Sequence, residues 1–111
     1  MITARFSSNE ELREITLKVN GHAGYAERGK DIVCSAASIL AYTLAEIVLH
    51  YETNLDSKPT IWLESGDTIV KAKSKDEDTY IKLSTALAHT RVGFALLEQS
   101  YPTCVSLIDF T

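Results

Sequence analysis

Cysteine and proline each occur only twice among the 111 residues, and no CxxC pair is present. Two cysteines exclude a disulfide-stapled scaffold and fall short of the usual zinc ligand count, so no metal is expected. Glycine is sparse too. Its one concentration, GHAGYAERGK, has neither the GxGxxG nor the GxxxxGK spacing of phosphate binders, which sets nucleotide cofactors aside. Basic residues are the minority, 11 against 15 acidic, for a formal net charge of −4. That balance argues against direct nucleic-acid binding, which depends on neutralising phosphates. It suits a basic partner, although so small a surplus mainly serves solubility. Long apolar runs are missing as well: the longest uncharged stretch, Ile32 to Ala45, is short for a bilayer and contains Ser35, Ser38 and Thr43. The start, MITARFSSNE, lacks the basic-then-apolar pattern of an export signal. The expected setting is a reducing cytoplasm without membrane contact, where both cysteines stay free thiols.

What is present reads as one domain over residues 1–111, of ordinary apolar and charged content. Alternation predicts strands over Ile2–Phe6 and Arg13–Asn20, paired as a hairpin across the polar stretch Ser7 to Glu11. Asp31 looks like the N-cap of a helix running to about Tyr51. Val33, Ala36, Ala37, Leu40, Leu44, Ile47, Val48 and Tyr51 supply its apolar set, with Ile39 on a second face. A helix so apolar is either buried on most sides or has one face covered by a second subunit. Thr60–Glu64 and Thr68–Lys73 read as a second hairpin around Ser65-Gly66-Asp67. A second helix starts near Ser74 to Asp76, with Ser74 and Glu77 fitting a capping box. Tyr80, Leu83, Leu87, Phe94 and Leu97 form its buried stripe, and Pro102 limits it near Ser100. Thr103–Phe110 is the last strand. The order ββαββαβ predicts an α/β fold of the α+β type: one mixed sheet with two helices packed on it.

The chemistry concentrates in Gly21 to Leu40. Cys34 falls in the first turn of its helix, where unpaired amides and the helix dipole favour a thiolate. The same helix-start amides are candidates to hold an oxyanion. Arg28 and Lys30 add positive potential, and Asp31 opposes it. A free cysteine is nevertheless more often a small buried hydrophobe. His22 is the only histidine in the glycine loop, and the chain between can fold back to bring its imidazole to the thiol as a base. Asp31 either orients His22 or caps the helix, and the cap is favoured. Ser38, one turn beyond Cys34, either supports the thiol or bonds a backbone carbonyl. Gly21, Gly24 and Gly29 either let backbone approach a bound peptide or only shape the loop. Cys104, in PTCVSLIDF, is expected in the core.

Gly21-His22-Ala23, followed by the block Gly29-Lys30-Asp31-Ile32-Val33-Cys34-Ser35-Ala36-Ala37-Ser38, closely resembles the ribosomal-processing cysteine protease family of bacteria, Prp. The MIT start and the element order agree with it. The resemblance implies Cys34 as nucleophile, His22 as base and Ser38 as a supporting residue. It also implies a homodimer whose mobile loop closes over substrate. The implied substrate is the N-terminal extension of large-ribosomal-subunit protein twenty-seven, removed during ribosome assembly. Two other functions fit the same residues: a non-catalytic module that holds a ribosomal protein with this loop, and a thiol redox protein in which Cys34 and Cys104 approach each other.

Overall fold

The computed structural model describes residues 1–27 and 29–109; Arg28 and the expected strand end at Phe110 lie outside the described residues. The elements are β1 (Ile2–Asn9), β2 (Glu14–Asn20), α1 (Ile32–His50), a short 3-10 turn (Glu52–Asn54), β3 (Thr60–Glu64), β4 (Asp67–Lys73), α2 (Glu77–Ser100) and β5 (Val105–Asp109). They form one five-stranded sheet in the order β3-β4-β2-β1-β5. β5 runs parallel to β1, and the other neighbours are antiparallel. The predicted mixed sheet with two helices is what the structure shows.

This strand order explains why one face of the sheet is covered and the other is bare. β2 and β3 point the same way with β4 between them, so α1 is a crossover to one side. β4 and β5 also point the same way, with β2 and β1 between them, so α2 crosses to the other side. β2 and β4 are antiparallel, and right-handed crossovers leaving antiparallel strands in opposite directions land on the same face. Ile2, Ala4, Phe6, Ile15, Leu17, Val70, Ala72 and Val105 point to that face and are buried there with Val33, Leu44 and Val48 of α1 and Leu83, Leu87 and Phe94 of α2. Phe6 and Phe94 meet edge to face at 5.7 Å. The helices approach closely at Gly93, where a Cβ would sit 2.5 Å from a Leu40 methyl.

By length and composition α1 is apolar enough to cross a membrane, beyond what its uncharged run implies, because the helix continues past Glu46 to His50. In this fold Val33, Ala37, Ala41, Leu44, Ala45 and Val48 are instead buried in the domain core. Its opposite side is not covered: Ile32, Ile39, Tyr42 and Leu49 are exposed.

Several element ends move from their predicted places, and each has a long-range cause. β1 continues three residues past Phe6, because Ser7, Ser8 and Asn9 pair with Thr16, Ile15 and Glu14, and Ser8 Oγ shares a 2.6 Å hydrogen bond with the Tyr80 hydroxyl of α2. Arg13, at φ +53, belongs to the turn rather than to β2. The hairpin loop of β3 and β4 is two residues, Ser65 and Gly66, with Asp67 already paired to Glu64. The N-cap of α2 is Asp76, whose carboxylate accepts the Thr79 amide at 2.7 Å, and not Ser74. Ser74 continues the sheet instead, bridging to Leu55 and donating its backbone N–H to the Arg13 carbonyl. This buries its hydroxyl without a partner.

Candidate active site

The site begins where β2 leaves the sheet. Gly21 takes φ +92, and a Cβ there would run into the carbonyl oxygen of Met1. Its N–H donates to the Gly66 carbonyl at 3.0 Å, tying the end of β2 to the β3–β4 turn. Only glycine turns the chain this sharply beside neighbouring backbone. The turn carries His22 and Ala23 across the start of α1. Ala23 is buried, and His22 is half-buried.

Asp31 is the N-cap of α1, as its position predicts. One carboxylate oxygen accepts the amides of Val33 and Cys34, both at 3.0 Å. The other accepts the amides of Tyr25 and Ala26 at 3.0 and 3.1 Å. The same side chain therefore caps the start of the helix and holds down the glycine loop. Edge-to-face contact between Tyr25 and Tyr101, 5.4 Å apart, fastens the outer side of the loop to the end of α2.

Those four bonds have two consequences. Three helix-start amides are already taken: Val33 and Cys34 donate to the Asp31 side chain, and Ser35 donates to the Asp31 carbonyl at 3.0 Å. They also hold the Asp31 carboxyl below its ordinary value. The Cys34 amide is the largest cause, desolvation opposes it, and the Ala26, Tyr25 and Val33 amides add to it. A carboxyl depressed in the folded state leaves the unfolded chain binding more protons as pH falls below about 4. The stabilisation from Asp31 is thus complete above that pH and is lost as pH falls through the folded value. Urea midpoints measured at successive pH values below 5 are expected to drop more steeply for the wild type than for Asp31→Asn, which cannot titrate.

Cys34 is half-buried, and its sulfur accepts the Ala23 N–H at 3.3 Å. Two cavities share Cys34 and His22 in their walls. The smaller, of about 60 Å³, lies between α1 and the end of the sheet, bordered by Cys34, Ser38, His22 and Gly66. The larger, of about 220 Å³, lies beside the glycine loop, bordered by His22, Gly24, Gly29, Asp31, Cys34 and Ser65. The structure thus brings together Cys34, His22, Asp31, Ser38 and all three loop glycines. Gly21 shapes the turn, whereas Gly24 and Gly29 line the larger cavity. Cys104 is buried, and both cysteines are free thiols. Among the described residues, no group of three or more His, Cys, Asp or Glu side chains is placed to hold a metal ion.

The turn Ser65-Gly66 is the part of the site that the sequence did not reveal. Gly66, at φ +77, lies flat against the imidazole: a Cβ there would stand 2.6 Å from His22 Nε2 and 2.8 Å from Cε1. The residues Ser-Gly were legible as a turn, but nothing local linked them to a histidine 44 positions earlier.

A thiol at the start of a helix, sharing two cavities with an imidazole from a strand end, is the arrangement that a thiol hydrolase requires. The family model for cysteine protease Prp matches residues 1–106, and the chain belongs to that family. Among curated proteins, none matches the chain. Among solved structures, the chain is similar to the ribosomal processing protease Prp of Staphylococcus aureus bearing a covalently linked product peptide. The TM-score is 0.74 at 22% identity, covering 99% of this chain and 100% of that one. The same protease with a substrate peptide superposes at TM-score 0.69 and 22% identity, with the same coverage. A Streptococcus mutans protein does so at 0.69 and 24%, covering 100% of this chain and 95% of its own. At these identities the likeness establishes a common fold.

Proposed function

We propose that this cysteine protease removes the N-terminal extension of a bacterial large-subunit ribosomal protein, protein twenty-seven, in the cytoplasm, with Cys34 as nucleophile and His22 as base. The observation that carries the reading is half-buried Cys34 bordering the same cavity as His22 beside the glycine loop. Family membership and the ribosomal-processing relative of the same fold support the substrate class.

His22 takes the thiol proton, and the sulfur lone pair attacks the scissile carbonyl carbon. The carbonyl π pair moves to oxygen. On collapse the C–N bond breaks, and the leaving amine takes the proton held by His22. A water then gives a proton to His22 and adds to the thioester carbon, and departure of the thiolate releases the acid. Ser38, bordering the smaller cavity with Cys34, supports the thiol side of the site. The test is mass spectrometry of the ribosomal precursor incubated with the purified chain. A truncated product with a new N-terminus is expected; a precursor that stays intact through prolonged incubation overturns the substrate assignment.

The homodimer belongs to the same proposal. Ile32, Ile39, Tyr42 and Leu49 of α1 and Ile81, Val92 and Leu96 of α2 expose apolar side chains on the sides of the helices away from the sheet. A second copy of the chain would cover them, since exposed apolar helix faces commonly mark protein contacts. Ile39→Arg is expected to convert a dimer into a monomer in sedimentation velocity with the fold intact by circular dichroism. A wild-type monomer at high protein concentration would contradict it.

A further inference from the structure

We propose that the backbone N–H of Ala23 is the oxyanion donor of this site. The inference rests on Cys34 being the nucleophile, and it replaces the helix-start amides in that role. The cap occupies three of those amides: Val33, Cys34 and Ser35 all donate to Asp31. Across the glycine loop, Gly21 donates to the Gly66 carbonyl, and Tyr25 and Ala26 donate to Asp31. Ala23 differs from these three, because its acceptor is the reacting sulfur itself, at 3.3 Å.

A hydrogen bond follows the negative charge. Before attack the charge is on sulfur, where the Ala23 N–H already points. As the sulfur pair forms the S–C bond, the carbonyl π pair moves to oxygen, one bond beyond the carbon that has joined the sulfur. A donor that reaches the sulfur at rest then reaches that oxygen with little movement. The donor is also preorganised, which is where such stabilisation gains its strength. Ala23 is buried, and the segment leading to it is pinned by the Gly21 to Gly66 bond at 3.0 Å. When the oxyanion collapses, the C=O bond re-forms, the C–N bond breaks, and the amine leaves with the proton carried by His22. Base and donor are thus consecutive residues on one turn.

The test removes the N–H alone. Ligation of synthetic segments with Ala23→lactic acid converts the His22–Ala23 amide to an ester, and the all-amide protein assembled in the same way is the reference. Peptide hydrolysis is expected to lose on the order of 10²–10³ in kcat, with KM little changed. Alkylation by iodoacetamide at alkaline pH passes through no oxyanion and is expected to keep its reference rate. Unchanged kcat overturns the proposal. So does an equal fall in hydrolysis and alkylation, which would assign the N–H to the thiolate only. Cys34→Ala, run alongside, separates the two failures: cleavage without the sulfur overturns the nucleophile, whereas an inactive Cys34→Ala beside a fully active ester overturns the donor alone. A crystal structure of the wild type with a peptide aldehyde tests the same point without any ester. Its hemithioacetal oxygen is expected within hydrogen-bond distance of the Ala23 nitrogen, and an oxygen turned to another donor overturns the assignment.

Discussion

Cys34→Ala is expected to abolish cleavage of the ribosomal precursor, a loss on the order of 10⁴-fold or more, because no other group in the cavity replaces the sulfur as nucleophile. His22→Ala is expected to lose about 10²–10⁴-fold, the range supplied by a positioned acid–base group. Its residual activity should rise with pH, as hydroxide takes over ionisation of the thiol. Both variants are expected to melt close to the wild type, since neither side chain is fully buried. Hydrolysis rates against pH, with melting curves alongside, check the pair. Wild-type cleavage by either variant would remove that residue from the mechanism.

Gly66→Ala carries the second large effect, although its residue is 44 positions from His22 and 32 from Cys34. A methyl group at residue 66 needs the space now held by the imidazole, with Nε2 only 2.6 Å from where the Cβ would be. The ring has two ways out: to swing away from the turn, or to push the turn from the end of β2. Either shifts the base by a large part of an ångström, and misplacement of about 1 Å costs on the order of 10² in rate. The left-handed φ of +77 adds about 1–2 kcal/mol of strain for a residue with a Cβ. A fall of that order in kcat, with only a modest drop in melting temperature, is the expected outcome. Losing stability without losing kcat would reduce Gly66 to a turn residue.

These two predictions differ in how far they were visible in the sequence. The block from Gly29 to Ser38 is contiguous, and its geometry is local. A carboxylate followed by an apolar run announces a cap, and Cys34 three residues on must share its turn. The Asp31 hydrogen bonds to Val33 and Cys34 are therefore a local consequence. The strands fared similarly, because alternation in Ile15, Leu17 and Val19 needs only one buried face. Ser74 shows the limit. Its spacing to Glu77 satisfies a capping box, yet its backbone joins the sheet through Arg13 and Leu55, leaving the cap to Asp76.

The sequence by itself determined the element order, the helix that presents Cys34 and the capping role of Asp31, because each depends on residues within a few positions of one another. Only the tertiary structure decided that Asp31 also holds the loop, that Gly66 backs His22, and that Ala23 points its amide at the sulfur. Those contacts join separate segments: two ends of a loop, a strand end against a distant turn, a strand end against a helix. They follow from strand order and crossover handedness, which no local pattern of side chains encodes.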